Sequence, residues 1–262
     1  MRTVVVGASS GLGRCIGVGL AQQGDRVALL ARRRDRLESA AAEAGPGAVV
    51  VECDVTDSGS CHTAIDAAAE ALGGIDGLVY APAIGPLARI TDLDRDTWRS
   101  VFDTNVIGAS LVTAAAVPHL EASQGRVVYL SSIVASLTSP WPGLGAYAVS
   151  KAALDKLVDA WQIEHPHLGF TRVVVGNCAG GEGEAQSGFN VGWDMELATE
   201  LVPGWIEKGY IGERLIDVDE VITAVATVLR AGTSVSIASV FLAPRPPAPG
   251  ETVPPLPTPN PA

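Results

Sequence analysis

Short runs of Val, Leu and Ile, with no polar residue alternating through them, recur along this chain and are separated by longer alanine-rich stretches of helical character. The apolar runs fall at residues 3–6, 27–31, 48–53, 77–80, 126–131, 171–175 and 236–242. The helical stretches fall at 15–23, 35–44, 58–72, 94–120, 146–165 and 218–230. A strand that feeds a helix and then another strand specifies parallel pairing through a crossover. Runs that stay apolar throughout belong to a sheet covered on both faces.

The pattern predicts an α/β protein: a single doubly wound, Rossmann-type domain over residues 1–243, with a seven-stranded, mostly parallel sheet and helices on both faces. Two stretches leave the rhythm. Residues 180–212 are rich in Gly, Glu and aromatic side chains, including Phe189, Trp193, Trp205 and Tyr210. They follow the sixth strand, at the carboxyl edge where ligands bind in such sheets, and are expected to form a substrate lid. The competing reading packs those aromatics into a core or a subunit contact. Residues 244–262 form a proline-rich tail with almost no anchoring apolar side chain, expected to be extended or mobile.

Composition narrows the function classes. A chain of 262 residues, 47% hydrophobic, suits one well-filled domain better than two small ones. A net charge of −11 excludes a general nucleic-acid binder, because no extended basic face could dominate that field. Cys15, Cys53, Cys61 and Cys178 lack CxxC spacing, and the four histidines complete no metal-ligand pattern. The expectation is a reduced, metal-free, cytoplasmic protein; His165-Pro166-His167 hints at a metal, but a solvated helix end is the favoured reading. Met1 and Arg2 run straight into the first strand, and every apolar run is interrupted before it reaches the length of a membrane span, so neither a leader nor a membrane partner is expected.

Candidate chemistry sits at the two ends of the domain. Gly7-Ala8-Ser9-Ser10-Gly11-Leu12-Gly13 lies between the first strand and the first helix, where the backbone must turn sharply and approach a pyrophosphate without a Cβ in the way. The helix that follows offers free N–H groups and a positive dipole end. The second strand ends in Ala31-Arg32-Arg33-Arg34 with no acidic residue at its tip. Aspartate there would accept from a free ribose hydroxyl, whereas arginine pairs with a 2′-phosphate, so the sequence predicts NADP(H) over NAD(H), with Arg32 the first choice and Arg33 the second. Asp54 and Val55 follow the third strand, placed to hold an adenine edge; Asp54 could equally cap the next helix. Ala81 follows the fourth strand on the cofactor side.

At the other end, Tyr147 and Lys151 stand four apart on one helix face. Bringing a phenol from a pKa of ~10 to neutrality takes roughly 4 kcal/mol of preferential stabilisation of phenolate. Burial pushes the wrong way, and an ammonium one turn away supplies the needed sign. The expectation is an acidified Tyr147 that acts as proton donor.

With Gly7 to Gly13, Asp54, Asn105, Ser132, Tyr147 and Lys151 in this order, the chain resembles the short-chain dehydrogenase/reductase family over about residues 1–243. The resemblance implies that Ser132 orients the substrate oxygen, Tyr147 exchanges its proton, Lys151 lowers the tyrosine pKa and binds the nicotinamide ribose, and Asn105 supports a water relay to the lysine. It also implies a homodimer or homotetramer built on the helices carrying Asn105 and Tyr147. Three departures stand out. The serine-to-tyrosine interval is about two residues longer than usual, which leaves Ser131, Ser132 or Ser136 to present the hydroxyl, with Ser132 favoured. Tyr80-Ala81-Pro82-Ala83 replaces an Asn-Asn-Ala-Gly run, and Asn177-Cys178-Ala179-Gly180 replaces a Pro-Gly pair.

Trp141, Phe189 and Trp193 flank the expected cleft, so the reading is an NADP(H)-dependent oxidoreductase interconverting a ketone and a secondary alcohol on an apolar or aromatic small molecule. Two alternatives keep the fold: an epimerisation, dehydration or cyclisation, and a dinucleotide-binding sensor with little turnover.

Overall fold

Strands form where the uninterrupted apolar runs lie: β1 (Arg2–Val6), β2 (Arg26–Ala31), β3 (Val49–Glu52), β4 (Gly77–Tyr80), β5 (Arg126–Ser132), β6 (Gly169–Val175) and β7 (Ser239–Leu242). The structure is a computed structural model and describes residues 1–178, 180, 181, 183–248, 250 and 251. The strands pair in the order β3-β2-β1-β4-β5-β6-β7, and every pair is parallel. Helices fill the crossovers: α1 (Gly11–Gln22), α2 (Arg34–Ala44), α3 (Ser58–Leu72), α4 (Arg95–Phe102), α5 (Gly108–Ser123), α6 (Gly145–Glu164), α7 (Met195–Glu207) and α8 (Val218–Leu229).

The strands lack polar alternation because each is buried on both sides. Leu78, Tyr80, Val127, Tyr129 and Phe170 join a core with α3, α5 and α6, while Val5, Leu29, Val79, Val128 and Val173 join a second core with α1, α2 and α8. Burying each such side chain is worth roughly 1.5–3 kcal/mol. Growth of the sheet reverses between β3 and β4, so the carboxyl ends of β1 and β4 flank the crevice that a doubly wound sheet offers to a ligand.

Residues 94–120 do not form one regular helix. α4 passes through a π-helical turn at Asp103–Ile107 before α5 begins. One extra residue in the turn rotates the side chains that follow, and it directs Asn105 into the interior, where it is 0% exposed. The combined run Arg95–Ser123 has the length and hydropathy of a membrane-spanning helix, unlike the expectation from the sequence. Its apolar positions Val112, Ala116 and Leu120 are spent on the first core.

A third apolar cluster is built from segments that follow the carboxyl ends of β4, β5 and β6. Leu87, Val134, Trp141, Leu144, Ala198 and Trp205 form its centre. α7 contributes the last two, and its start is fixed by Asp194, whose side chain accepts from Glu196 N and Leu197 N. Of the proline-rich tail, residues 249 and 252–262 lie outside the described residues; before them Arg214 pairs with Glu251, and Ala248 N donates to Glu251 Oε2 at 2.8 Å.

Candidate active site at the carboxyl edge of the sheet

The loop after β1 needs glycine for two separate reasons. Gly7 and Gly11 have φ of +81° and +56°, a region that side chains disfavour. A Cβ on Gly7 would also stand 2.9 Å from Pro82 N, and one on Gly13 would stand 2.3 Å from the Gly7 carbonyl. Pro82, at the position where Asn-Asn-Ala-Gly was replaced, therefore packs directly on the loop. The neighbouring Tyr80 hydroxyl donates to the Thr104 carbonyl, and Ala81 N donates to Val6 O at 3.1 Å.

Ser10 precedes α1 without capping it through its side chain, which leaves the first-turn N–H groups around Gly11, Leu12 and Gly13 without side-chain partners among the described residues. Ser9 Oγ and Ser10 Oγ instead each accept from Arg33 Nη2 at 2.9 Å. Partial burial lowers the Arg33 pKa, with the charges of Arg36 and Arg32 adding to the effect. Arg34 is paired with Glu38 and Glu52, whereas among the described residues neither Arg32 nor Arg33 has a carboxylate within ion-pair distance. Arg33, the second choice from sequence, is thus the one aimed at the loop. Cys53 N donates to Ala31 O at 3.0 Å, which brings Asp54 and Val55 beside this corner. Asp54 closes its own turn, accepting from Thr56 N at 3.0 Å and Thr56 Oγ1 at 2.8 Å, and those bonds lower its pKa. The cap of α3 is Asp57. A glycine cradle too tight for a Cβ, free helix N–H groups and unpaired guanidinium charge are the donor set that a dinucleotide's phosphates require.

Lys151 is 2% exposed, and its Nζ donates to the Leu130 carbonyl at 2.7 Å while standing 5.7 Å from the centre of the Tyr147 ring. Burial lowers the Lys151 pKa to about 8, against the charge of Asp155. Burial raises the Tyr147 pKa to about 12, and a hydrogen bond with Ser132 offsets only part of that. In this structure burial, more than the four-residue spacing, sets the acidity of the Tyr147 phenol. Loss of hydration outweighs a lysine whose own charge is desolvated and directed at a backbone carbonyl.

Strand parity separates the candidate serines. Ser131 and Ser132 point to opposite sides of β5. Ser131 Oγ donates to Asp155, Ser132 faces Tyr147, and Ser136 lies in a surface groove with Lys156 and Arg172. Asn105 holds residue 84 at both ends of its amide, accepting from Ile84 N at 2.8 Å and donating to Ile84 O at 2.9 Å, and it also donates to Ser150 Oγ at 2.9 Å.

The aromatic side chains divide into two groups. Phe189 meets Tyr147 edge-on with ring centres 4.8 Å apart, and Trp193 meets Phe189 at 5.7 Å while donating from Nε1 to Gly85 O at 2.8 Å. A cavity of about 420 Å³ opens beside Phe189, between residues 84–86, Ser100 and Val101 of α4, and Val191. Trp141 lies deeper. It is 8% exposed, stacks on Tyr210 with ring centres 5.5 Å apart and contacts Trp205 at 5.4 Å, so it belongs to the packing behind the wall rather than to the wall itself. Cys178, half-buried, has its thiol pKa raised by burial, which makes it a poor nucleophile; Ala179 beside it lies outside the described residues.

Two residues here were missed from sequence. Asp155, one turn beyond Lys151, accepts from Ser131, and its pKa is raised by burial; the lysine-to-aspartate i,i+4 spacing was the available signal. Arg14, 4% exposed within α1, pairs with Glu43 at 3.0 Å and with Glu184 at 3.1 Å, tying α1 to the segment after β6. A lone arginine in an otherwise apolar helix was the signal there.

The family model described as short chain dehydrogenase matches residues 2–186. A glycine betaine reductase of Emericella nidulans is 31% identical over 248 residues, covering 92% of this chain and 18% of that protein. An 11-beta-hydroxysteroid dehydrogenase of Sesamum indicum is 33% identical over 179 residues, covering 66% of this chain and 51% of that one. The chain thus spans less than a fifth of the first relative and about half of the second. An alcohol dehydrogenase of Thermococcus sibiricus, solved with 5-hydroxy-NADP, superposes with a TM-score of 0.75 at 25% identity, covering 92% of this chain and 94% of that one.

Proposed function

Since the chain belongs to the short-chain dehydrogenase family of oxidoreductases, we propose that it interconverts a ketone and a secondary alcohol on an apolar or aromatic small molecule, using NADP(H). The observation that carries this reading is the meeting of Ser132 and Lys151 at Tyr147 in a domain whose glycine loop is held by Arg33.

A bound nicotinamide would supply or take the hydride. Gly7 to Gly13 and the first turn of α1 would hold the pyrophosphate, Asp54 and Val55 the adenine edge, and Arg33 with Arg32 the 2′-phosphate. Ala81 would border the cofactor. In the reducing direction the carbonyl carbon gains the hydride, and the oxygen takes its proton from Tyr147. The phenol holds its proton at neutral pH, and the Lys151 ammonium beside it favours the proton's release as the oxygen draws on it. Ser132 donates a hydrogen bond to the same oxygen as charge develops on it. Lys151 places its charge beside the phenolate that is left and would bind the nicotinamide ribose. Asn105 is a positioning residue that fastens the segment after β4 to α6.

Residues 180–212 act as the lid, with Phe189 and Trp193 as its inner wall and Trp141 as the support behind them. Ile107, Val149 and Ile163 are exposed on and beside α5 and α6, which supports self-association through those helices as a dimer or tetramer. Four free thiols support a reducing, cytoplasmic compartment. The reading is tested by following NADPH absorbance with wild-type protein and a panel of aromatic ketones. Consumption coupled to alcohol formation supports it; a protein that binds NADPH yet turns over no member of the panel favours the sensor.

A further inference from the structure

At the amino edge of the sheet, away from the cleft, three side chains converge from two helix ends. Glu121 lies near the end of α5, and His165 and His167 follow α6. Glu121 Oε1 stands 3.5 Å from His165 Nδ1 and 3.4 Å from His167 Nε2, and the three donor atoms all lie within 4.8 Å of one another. We propose that Glu121, His165 and His167 form a binding site for a first-row divalent transition-metal ion of the zinc class.

The separations favour an ion between the groups over a direct pair. Ligands bound at about 2.0–2.1 Å in a tetrahedron stand roughly 3.3–3.4 Å from one another. The His167 contact at 3.4 Å lies at that edge length and the His165 contact at 3.5 Å just above it. A charge-assisted hydrogen bond between imidazole and carboxylate closes to about 2.7–2.9 Å, and one such contact exists nearby for comparison: His119 Nε2 and Asp66 Oδ1 meet at 3.0 Å. At Glu121 neither imidazole closes in this way; both are held short of the same oxygen.

The frame is fixed before any ion arrives. His165 packs against Trp161 and Phe170, with ring centres 5.4 and 6.4 Å away, and Pro166 restrains the spacing to His167. Leu168 N donates to His165 O at 3.0 Å, and Gly169 N donates to Gly125 O at 3.2 Å, which ties this connection to the end of α5. His165 is the more enclosed ligand, while Glu121 and His167 keep exposed faces that leave a fourth position to solvent. Two imidazoles with one carboxylate select zinc, cobalt, nickel or copper; magnesium and calcium require oxygen ligands. Bound there, the ion staples α5 to the α6–β6 connection and stabilises the fold by mass action.

The test uses the full chain with cobalt(II) and zinc(II) salts alone. Wild-type protein should take up a single equivalent of cobalt with the visible absorption of a four-coordinate ion, lose that absorption to zinc, and melt at a higher temperature with zinc. Because even an outer-shell partner counts for about 10–100-fold in affinity, His167→Ala and Glu121→Gln should each weaken uptake by at least about tenfold and abolish the zinc-dependent rise in Tm. Both positions are exposed, so circular dichroism should show the variants folded. A Cys15→Ser/Cys178→Ser variant should bind as wild type does. Failure of the wild type to take up either ion, or equal uptake by His167→Ala and Glu121→Gln, overturns the site.

Discussion

Lys151 stands one helical turn beyond Tyr147, yet its ammonium donates to the Leu130 carbonyl at 2.7 Å and lies 5.7 Å from the phenol ring. Spacing places the two groups together; burial decides their acidity. Each is driven toward its neutral form, the lysine down to about 8 and the tyrosine up to about 12.

Stability should carry the mark of both groups. The folded Lys151 pKa lies below its unfolded value, so between about pH 8 and 10.5 the unfolded chain binds more protons and stability rises with pH. The folded Tyr147 pKa lies above its unfolded value, so its contribution is complete below about pH 10 and is lost as pH climbs toward 12. Thermal melts of wild type and Lys151→Met should therefore show the wild type gaining on the variant from pH 8 to 10. A difference that does not change with pH contradicts the buried, desolvated lysine.

Arg33 contacts both loop serines, whereas Arg32 contacts neither, so the two should separate in cofactor binding. Loss of a charge-assisted contact costs about 1.5–3 kcal/mol, or roughly 10–150-fold in affinity. Fluorescence titration should show Arg33→Asp weakening NADPH by that range while sparing NADH, with a smaller effect from Arg32→Asp. The reverse order would return the specificity role to Arg32.

The two aromatic groups should behave differently on truncation. Trp141→Ala removes a buried indole stacked between Trp205 and Tyr210 and should cost roughly 3–5 kcal/mol, read as a fall in Tm. Phe189→Ala trims a half-buried ring beside Tyr147 and should change kcat/KM between small and large ketones with little change in Tm. A large loss of stability in Phe189→Ala would move that residue from the wall to the core.

Glu184 is the point where Arg14 and Ser39 hold the segment after β6 against α1 and α2. Glu184→Gln should raise KM for substrate with little change in Tm, because the carboxylate side of the pair is exposed and surface ion pairs add little to stability. An unchanged KM separates this contact from substrate binding.

The sheet was readable in advance because burial on both faces removes alternation. Leu78 and Val79 face opposite cores, and both must be apolar. The glycine loop was readable because φ and close approach admit one residue type at Gly7. Other features depended on long-range placement. Nothing in a helical repeat marks the extra residue at Asp103–Ile107 that turns Asn105 inward. Ser131 and Ser132 were separated only by the phase of β5 and by Asp155 beside it. Trp141 carries the same side chain in a wall as in a core, and its stacking on Tyr210, distant in sequence, sets which it is. The spacing of Tyr147 and Lys151 reports their nearness, while the extent of their burial depends on the packing around α6.

In the proposed reaction Tyr147 gives its proton to the substrate oxygen. NADPH-dependent reduction of an aromatic ketone should be compared in wild type and Tyr147→Phe, with NADPH affinity measured in both. Retained NADPH binding with kcat lower by about 10²–10⁴-fold is the expected result. A Tyr147→Phe protein that reduces the ketone at the wild-type rate would contradict it.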